Sequence, residues 1–177
     1  MPKIIDDAEQ MILASAKKIL LEGSYHNFSM RNVAKDCGIG VGTIYNYYAS
    51  KMVLIASVMS MDWEKAKVMM DDSCENAKDV TEGLIGIYDA IKGFSAIYFS
   101  VWNQFAQGNE TTGIIQRYHP MLQEQINQKI EGLLERFGFE EDKKIAPILS
   151  EAILSASTKS QISVEQVRIL GDRLFHK

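Results

Sequence analysis

Apolar residues recur at intervals of three and four along nearly the whole chain, and nowhere does the strict alternation of a half-buried strand persist. Residues 4–22 place Ile5, Ala8, Ile12, Ala16, Ile19 and Leu20 on one face, with Gly23 after them, which predicts a first helix with Lys17 and Lys18 in solvent. Ser29 then caps a short helix with Val33 and Ala34 inward, and Gly38 supplies the left-handed residue that ends it. A second short helix starts near Gly40 or Val41 and runs to Tyr48. From Ser50 a long helix continues to about Asp72, with Leu54, Val58, Met61 and Lys65 on neighbouring turns, until the polar stretch Asp71–Asp79 interrupts the pattern. Thr81 opens another long helix, to residue 106, whose stripe is Leu84, Ile87, Tyr88, Ile91, Phe94, Tyr98, Trp102 and Phe105. A short helix through Ile114, Ile115 and Tyr118 stops at His119 and Pro120, and the proline starts the next, over 120–137, which Gly138 ends. Helices over 142–160 and 163–175 close the chain. The expected fold is all-α, with about nine helices: an N-terminal three-helix helix-turn-helix domain followed by a C-terminal helical bundle.

The segment from Ser29 to Lys51 has the form helix, tight glycine turn, helix. Ala34 is small where two helices cross, Ile39 plugs the turn, and Ile44 anchors the second helix inward. Val41, Gly42, Thr43, Tyr45, Asn46 and Tyr47 are left largely outside. A face of two tyrosines, a threonine and an amide is poor at burying itself but suited to phosphates, thymine methyls and base edges, so it reads as a recognition helix.

These residues resemble a known family. ILASAKKILLEG at 12–23 and FSMRNVAKDCGIGVGTIYNYYASKMVL at 28–54 are similar to the N-terminal domain of TetR-family transcriptional regulators, over roughly the first third of the chain. Gly23, Ala34, Gly38, Thr43, Tyr45, Tyr48 and Lys51 stand at the family's spacing. Cys37 replaces a usual alanine, Gly40 a usual serine cap and Met52 a usual acid, departures that blunt capping without altering the reading face. The resemblance implies phosphate contacts from Thr43, Tyr45, Tyr47 and Lys51, and base-edge contacts from Arg31, Val41, Gly42 and Asn46. Arg31 lies outward on the first motif helix, where its fork can take guanine O6 and N7 together.

Charge changes the picture modestly. The net charge of −4 over 177 residues is uneven: up to Lys51 six lysines and arginines face five carboxylates, a balance of +1, which leaves −5 in the remainder. An acidic body with a mildly basic end is compatible with binding DNA through one face. Cys37 and Cys74 have no ligand spacing and read as free thiols of a reducing compartment; no metal or cofactor is expected. No apolar run reaches the roughly 18 residues of a membrane span and no signal peptide is recognisable, so a cytoplasmic location away from membranes is expected. No nucleophile stands beside a base, and His26, His119 and His176 sit in separate segments, which speaks against an enzyme.

The division expected is residues 1–51 as the DNA-binding domain, connected by the 50–72 helix, and 52–177 as a sensing and dimerisation domain. Rings with polar tips concentrate in the middle of the chain, so an apolar or aromatic effector is expected among Trp63, Tyr88, Ile91, Phe94, Tyr98, Trp102 and Tyr118. The last two helices carry small apolar faces suited to a second copy: Ile145, Leu149, Ala152, Ile153, Ala156, Val167, Leu170 and Leu174. The function expected is a TetR-like homodimeric regulator, most simply a repressor, that reads a palindromic double-stranded DNA operator and is released by a small-molecule effector. The alternative is a DNA-bound scaffold that recruits a protein partner and takes no effector.

Overall fold

A computed structural model describes residues 7–22, 28–106, 112–158 and 163–175, without the side chains of 100, 102–106, 112–118 and 158. Among the described residues there are eight α-helices, one 3-10 helix and no strand: α1 (Ala8–Glu22), α2 (Met30–Asp36), α3 (Val41–Tyr47), α4 (Lys51–Asn76), α5 (Val80–Ala106), α6 (Thr112–Arg136), the 3-10 helix Glu140–Ile145, α7 (Ala146–Thr158) and α8 (Val164–Phe175). The all-α expectation holds. The chain divides into two compact units, Met1–Trp63 with Tyr98–Gln104, and Glu64–Ile97 with Phe105–Lys177.

In the first unit α1 buries Ala8, Ile12, Ala16 and Leu20, α2 buries Met30, Val33 and Ala34, and α3 contributes Ile44. Phe28 fills the space beside them, and Leu54, Ile55 and Val58 of α4 complete this core. Lys17 and Lys18 are not simply solvated. Lys17 Nζ lies 2.6 Å from the buried Asp62 carboxylate, and Lys18 Nζ lies 3.5 Å from Asp36. The cause is that Lys17 borders the buried Ala16 and reaches over the apolar face to an acid that would otherwise be stranded.

In the second unit, Leu84, Ile87, Tyr88 and Ile91 of α5 and Ile126, Ile130, Leu133 and Leu134 of α6 are buried, with Leu149 and Ile153 from α7 and Val167 and Phe175 from α8. Phe139 and Phe175 meet edge-on, with ring centroids 5.2 Å apart. A methyl added at Gly86 would collide with the Ser73 side chain, so this glycine is needed for the close approach of α4 and α5.

Three boundaries differ from the sequence reading. The helix expected to stop at Asp72 continues to Asn76, because polar side chains are compatible with a helix that has a wet face, and Asp71 there pairs with Lys129 of α6. The stop comes at Ala77–Asp79, where the Asp79 carboxylate accepts the Glu82 N–H at 2.7 Å and caps α5. The break at Pro120 is absent: α6 passes through it unbroken. Proline's fixed φ fits a helix and removes one donor, a local cost of about 3 kcal/mol that the buried stripe from Ile126 to Leu134 outweighs. The segment from Asp142 to Ile145 is 3-10, and α7 starts only at Ala146 with Pro147 in its first turn.

Candidate nucleic-acid interface

Local chemistry fixes the motif. The Ser29 backbone is extended (φ −145°, ψ 150°), and its hydroxyl accepts the Asn32 N–H at 3.1 Å, capping α2. At the other end the Cys37 N–H donates to the Val33 carbonyl at 3.0 Å and the Ile39 N–H to the Ala34 carbonyl at 3.0 Å. Gly38 between them has φ +65°, a conformation that an L side chain resists. Gly40 caps α3 without a side-chain bond, and Tyr48 ends it by donating its N–H to the Ile44 carbonyl at 2.9 Å. Ser50 Oγ accepts the Val53 N–H at 3.2 Å and opens α4.

Two contacts tie the motif to α1. Ser15 donates to Asp36 Oδ2 at 2.7 Å, and this bond together with the Lys18 charge holds the Asp36 carboxyl below its ordinary 3.8. The Tyr48 hydroxyl donates to Glu9 Oε1 at 3.4 Å; burial and the Glu9 charge push its pKa up to about 12. A surface groove lined by Met11, Ala14, Ser15, Lys18, Asp36 and Cys37 runs between α1 and the end of α2.

With Ile44 as the buried residue of α3, the remainder of that helix faces outward. Val41, Gly42, Tyr45, Asn46 and Tyr47 are exposed, and Thr43 is half-buried. Arg31 is exposed on α2. Lys51 is half-buried at the start of α4, its ammonium 5.7 Å from the centroid of the Phe28 ring, a placement that keeps its charge beside the motif.

The other predicted residues fall as follows. Trp63 and Tyr98 are buried in the first unit, and Tyr88, Ile91 and Phe94 in the second. The side chains of Trp102 and Tyr118 lie outside the described residues. Of the last two helices, Leu149, Ile153, Ala156 and Val167 are covered by their own chain and Ile145 and Ala152 are half-buried. Leu170 and Leu174 are exposed, as are Ile148, Val164 and Ile169.

Sequence reasoning missed the cluster around Asp62. This carboxylate, with 3% of its side chain exposed, takes Lys17 on one side and the Tyr98 hydroxyl at 2.8 Å on the other, so α1, α4 and α5 meet on one acid. Burial first, then the Asp62 bond and charge, push the Tyr98 phenol far up from its ordinary value. The signal was available: Ile55, Val58 and Asp62 follow at intervals of three and four, and an acid on a buried stripe requires a partner. Among the described residues no group of histidine, cysteine and carboxylates is arranged to hold a metal, and no helix is long and apolar enough to cross a membrane.

A capped helix, a left-handed glycine and a second helix held by one apolar anchor define a helix-turn-helix protein. The sequence profile of bacterial regulatory proteins of the tetR family matches residues 12–58, which contain that whole motif. That segment carries the N-terminal domain of the TetR family of bacterial regulatory proteins. It is 24% identical over 122 residues to the HTH-type transcriptional regulator UidR of Escherichia coli K12, a match covering 67% of this chain and 62% of that one. An uncharacterized HTH-type regulator of Bacillus subtilis, YuxN, is 26% identical over 176 residues, covering 93% of this chain and 56% of its own length. The chain thus matches somewhat under two thirds of these relatives. A TetR/AcrR-family regulator from Thermobifida fusca shares the fold with a TM-score of 0.61 at 15% identity, over 95% of this chain and 96% of that one.

Proposed function

We propose that this chain is a homodimeric DNA-binding regulator, acting as a repressor, that reads a palindromic operator through α3. The observation carrying this is the outward side of α3: Val41, Gly42, Tyr45, Asn46 and Tyr47 are all exposed around a single buried anchor, Ile44. Those side chains stand largely in solvent, and their chemistry matches phosphates and base edges. In this reading residues 1–51 read DNA, and 52–177 sense and dimerise. Thr43, Tyr45, Tyr47 and Lys51 hold phosphates; Arg31, Val41, Gly42 and Asn46 reach base edges. Selecting binders from a random duplex pool, then footprinting the winner, tests the reading. A two-fold symmetric footprint with half-sites about 34–36 Å apart or somewhat more is expected; failure to enrich any duplex overturns it.

For the dimer, the exposed Leu170 and Leu174, one turn apart on α8, with Ile148 on α7 are the surface that supports the reading. Leu149, Ile153, Ala156 and Val167 would stabilise the helices that carry it. Leu170→Glu buries an unpaired charge if that surface meets a second copy, so light scattering is expected to show monomers. A dimer of unchanged stability would move the interface elsewhere.

An apolar effector remains part of the proposal, and the burial of Trp63, Tyr88, Ile91, Phe94 and Tyr98 constrains it. A ligand reaches those side chains only by displacing their present neighbours. It must therefore bind the displaced arrangement better, since equal affinity for two states shifts neither. The same burial favours the second reading, a DNA-bound scaffold with a protein partner and no effector. Titrating the DNA-bound protein with apolar and aromatic compounds separates the two, because only an effector releases the duplex.

A further inference from the structure

Asp36 is the last residue of α2, and local physics does not favour an acid there. The unsatisfied carbonyls at a helix C-terminus carry partial negative charge, so a carboxylate beside them is repelled unless something else holds it. Here α1 holds it. Asp36 Oδ2 accepts the Ser15 hydroxyl at 2.7 Å, and Oδ1 lies 3.5 Å from Lys18 Nζ, so both oxygens are engaged by one neighbouring helix. Ser15 and Lys18 stand three residues apart, on one face of α1. Ser15 is only 7% exposed and needs a partner of its own, which Asp36 supplies.

The place of this cluster in the motif gives it a task. The buried residues of α2 are Met30, Val33 and Ala34, whereas Lys35 and Asp36 are exposed. Apolar packing thus secures the start and middle of the helix, and its last residue lines the groove between α1 and α2. There α1 is reached by polar bonds: the two from Asp36, and a weak one from the Cys37 thiol to the Met11 carbonyl at 3.7 Å. The turn that follows leads directly into α3 at Val41. Because α3 has one buried anchor, Ile44, its direction depends on how that turn leaves α2.

We infer that Asp36 is a positioning residue of the DNA reader: through Ser15 and Lys18 it fixes the end of α2 on α1 and so sets the angle at which α3 meets the duplex. This rests on the DNA-reading role proposed above and adds a consequence for specificity. Base-edge contacts need the reading helix held within about 0.5 Å and 10–20° of its productive placement. Phosphate contacts position the protein without reading sequence, and long side chains can follow a small rotation. Loosening the cluster therefore costs the operator more than it costs unrelated DNA.

The test takes the ratio of affinities for the selected duplex and an unrelated duplex, in the full-length protein well below its melting temperature. Loss of folded protein lowers both affinities alike and leaves the ratio unmoved, so the ratio separates positioning from stability. Asp36→Ala and Ser15→Ala are each expected to lower it by at least about tenfold, within the range of one base contact. The double variant should lose no more than the worse single, because both remove the same bond. Glu22→Gln, which removes an exposed acid of α1 outside the cluster, controls for charge and should keep the parent's ratio. Should the first two variants not fold, Lys18→Met decides, at a side chain 57% exposed: a ratio lowered about threefold supports the role, and the parent's ratio overturns it. An Asp36→Ala ratio within about twofold of the parent, or losses that simply add in the double variant, overturns the inference and leaves the DNA-reading role intact. A parent protein that enriches no duplex overturns both.

Discussion

Four tyrosines divide the molecule into two kinds of surface. Tyr45 and Tyr47 on α3 are 52% and 46% exposed, whereas Tyr88 and Tyr98 on α5 are 0% exposed. The buried phenols are held: Tyr98 donates to Asp62, and the Tyr88 oxygen accepts Lys92 Nζ at 3.1 Å. A phenol taken out of water requires such a partner, and one left in water does not. The same residue type thus serves the fold on α5 and lies available to an outside partner on α3. Helix α3 keeps its place with one buried anchor, Ile44, while α5 buries Leu84, Ile87, Tyr88, Ala90, Ile91 and Phe94 before reaching Tyr98. Substitutions on α5 should therefore act through stability, and substitutions on the outside of α3 through binding.

Asp62→Ala is the largest expected blow. It removes the acid that Lys17 and Tyr98 share and leaves a buried phenol and a partly covered ammonium without it. Breaking a buried pair from one side costs about 3–5 kcal/mol. Urea unfolding measures it; a loss below about 1 kcal/mol would show that the cluster is not a fold-stabilising element.

On the opposite side of the comparison, Arg31→Ala should leave the unfolding midpoint unchanged and relax preference at one base pair by about 1–3 kcal/mol, the range of a bidentate guanine contact. Affinities for a set of single-base operator variants report it. An unchanged specificity profile removes Arg31 from the base-reading set.

Tyr45→Ala sharpens the contrast further. More than half of this side chain is already in water, so its removal should alter stability by no more than about 0.5 kcal/mol. Its expected effect is a uniform weakening on all duplexes, as for a phosphate contact, with no change in base preference. A stability loss as large as that of Tyr98→Phe would erase the distinction between the two helices.

How much of this was legible depends on what each feature rests on. The helix-turn-helix was readable because local chemistry specifies it: Ser29 as cap, Gly38 as left-handed stop and Ile44 as the inward residue all stand where the structure has them. The outward set on α3 followed, since one anchor in seven residues leaves little choice of face. Features resting on tertiary partners were not readable. The sequence DDSCEN looks like a loop until Lys129 meets Asp71, and Pro120 looks like a stop until the buried side of α6 outweighs it. The last helices show the same limit. Leu149, Ile153 and Val167 have the pattern of a face seeking a partner, and their own chain already covers them. Periodicity tells which side is apolar, not what lies against it.

The smallest expected effect separates the tyrosines by pH. Tyr48, held by burial and Glu9, titrates at about 12 in the folded protein against an ordinary 10.0, and Tyr98 is pushed further in the same direction by burial and Asp62. Between these values the folded chain keeps protons that the unfolded chain has released. By linkage, stability then falls as pH rises: the contribution of the neutral phenols is complete below pH 10 and is lost as pH climbs through the folded values. Urea midpoints measured from pH 8 to 12 should decline at the alkaline end. Other groups also titrate there, so the informative quantity is the difference between variants. Tyr48→Phe and Tyr98→Phe each remove one phenol that the fold must keep neutral, and each should flatten the decline relative to the parent. Tyr45→Phe, whose hydroxyl stands on an exposed side chain, serves as the control on the α3 side. Parallel declines in the parent and in the two buried-tyrosine variants would mean that those phenols do not couple folding to pH.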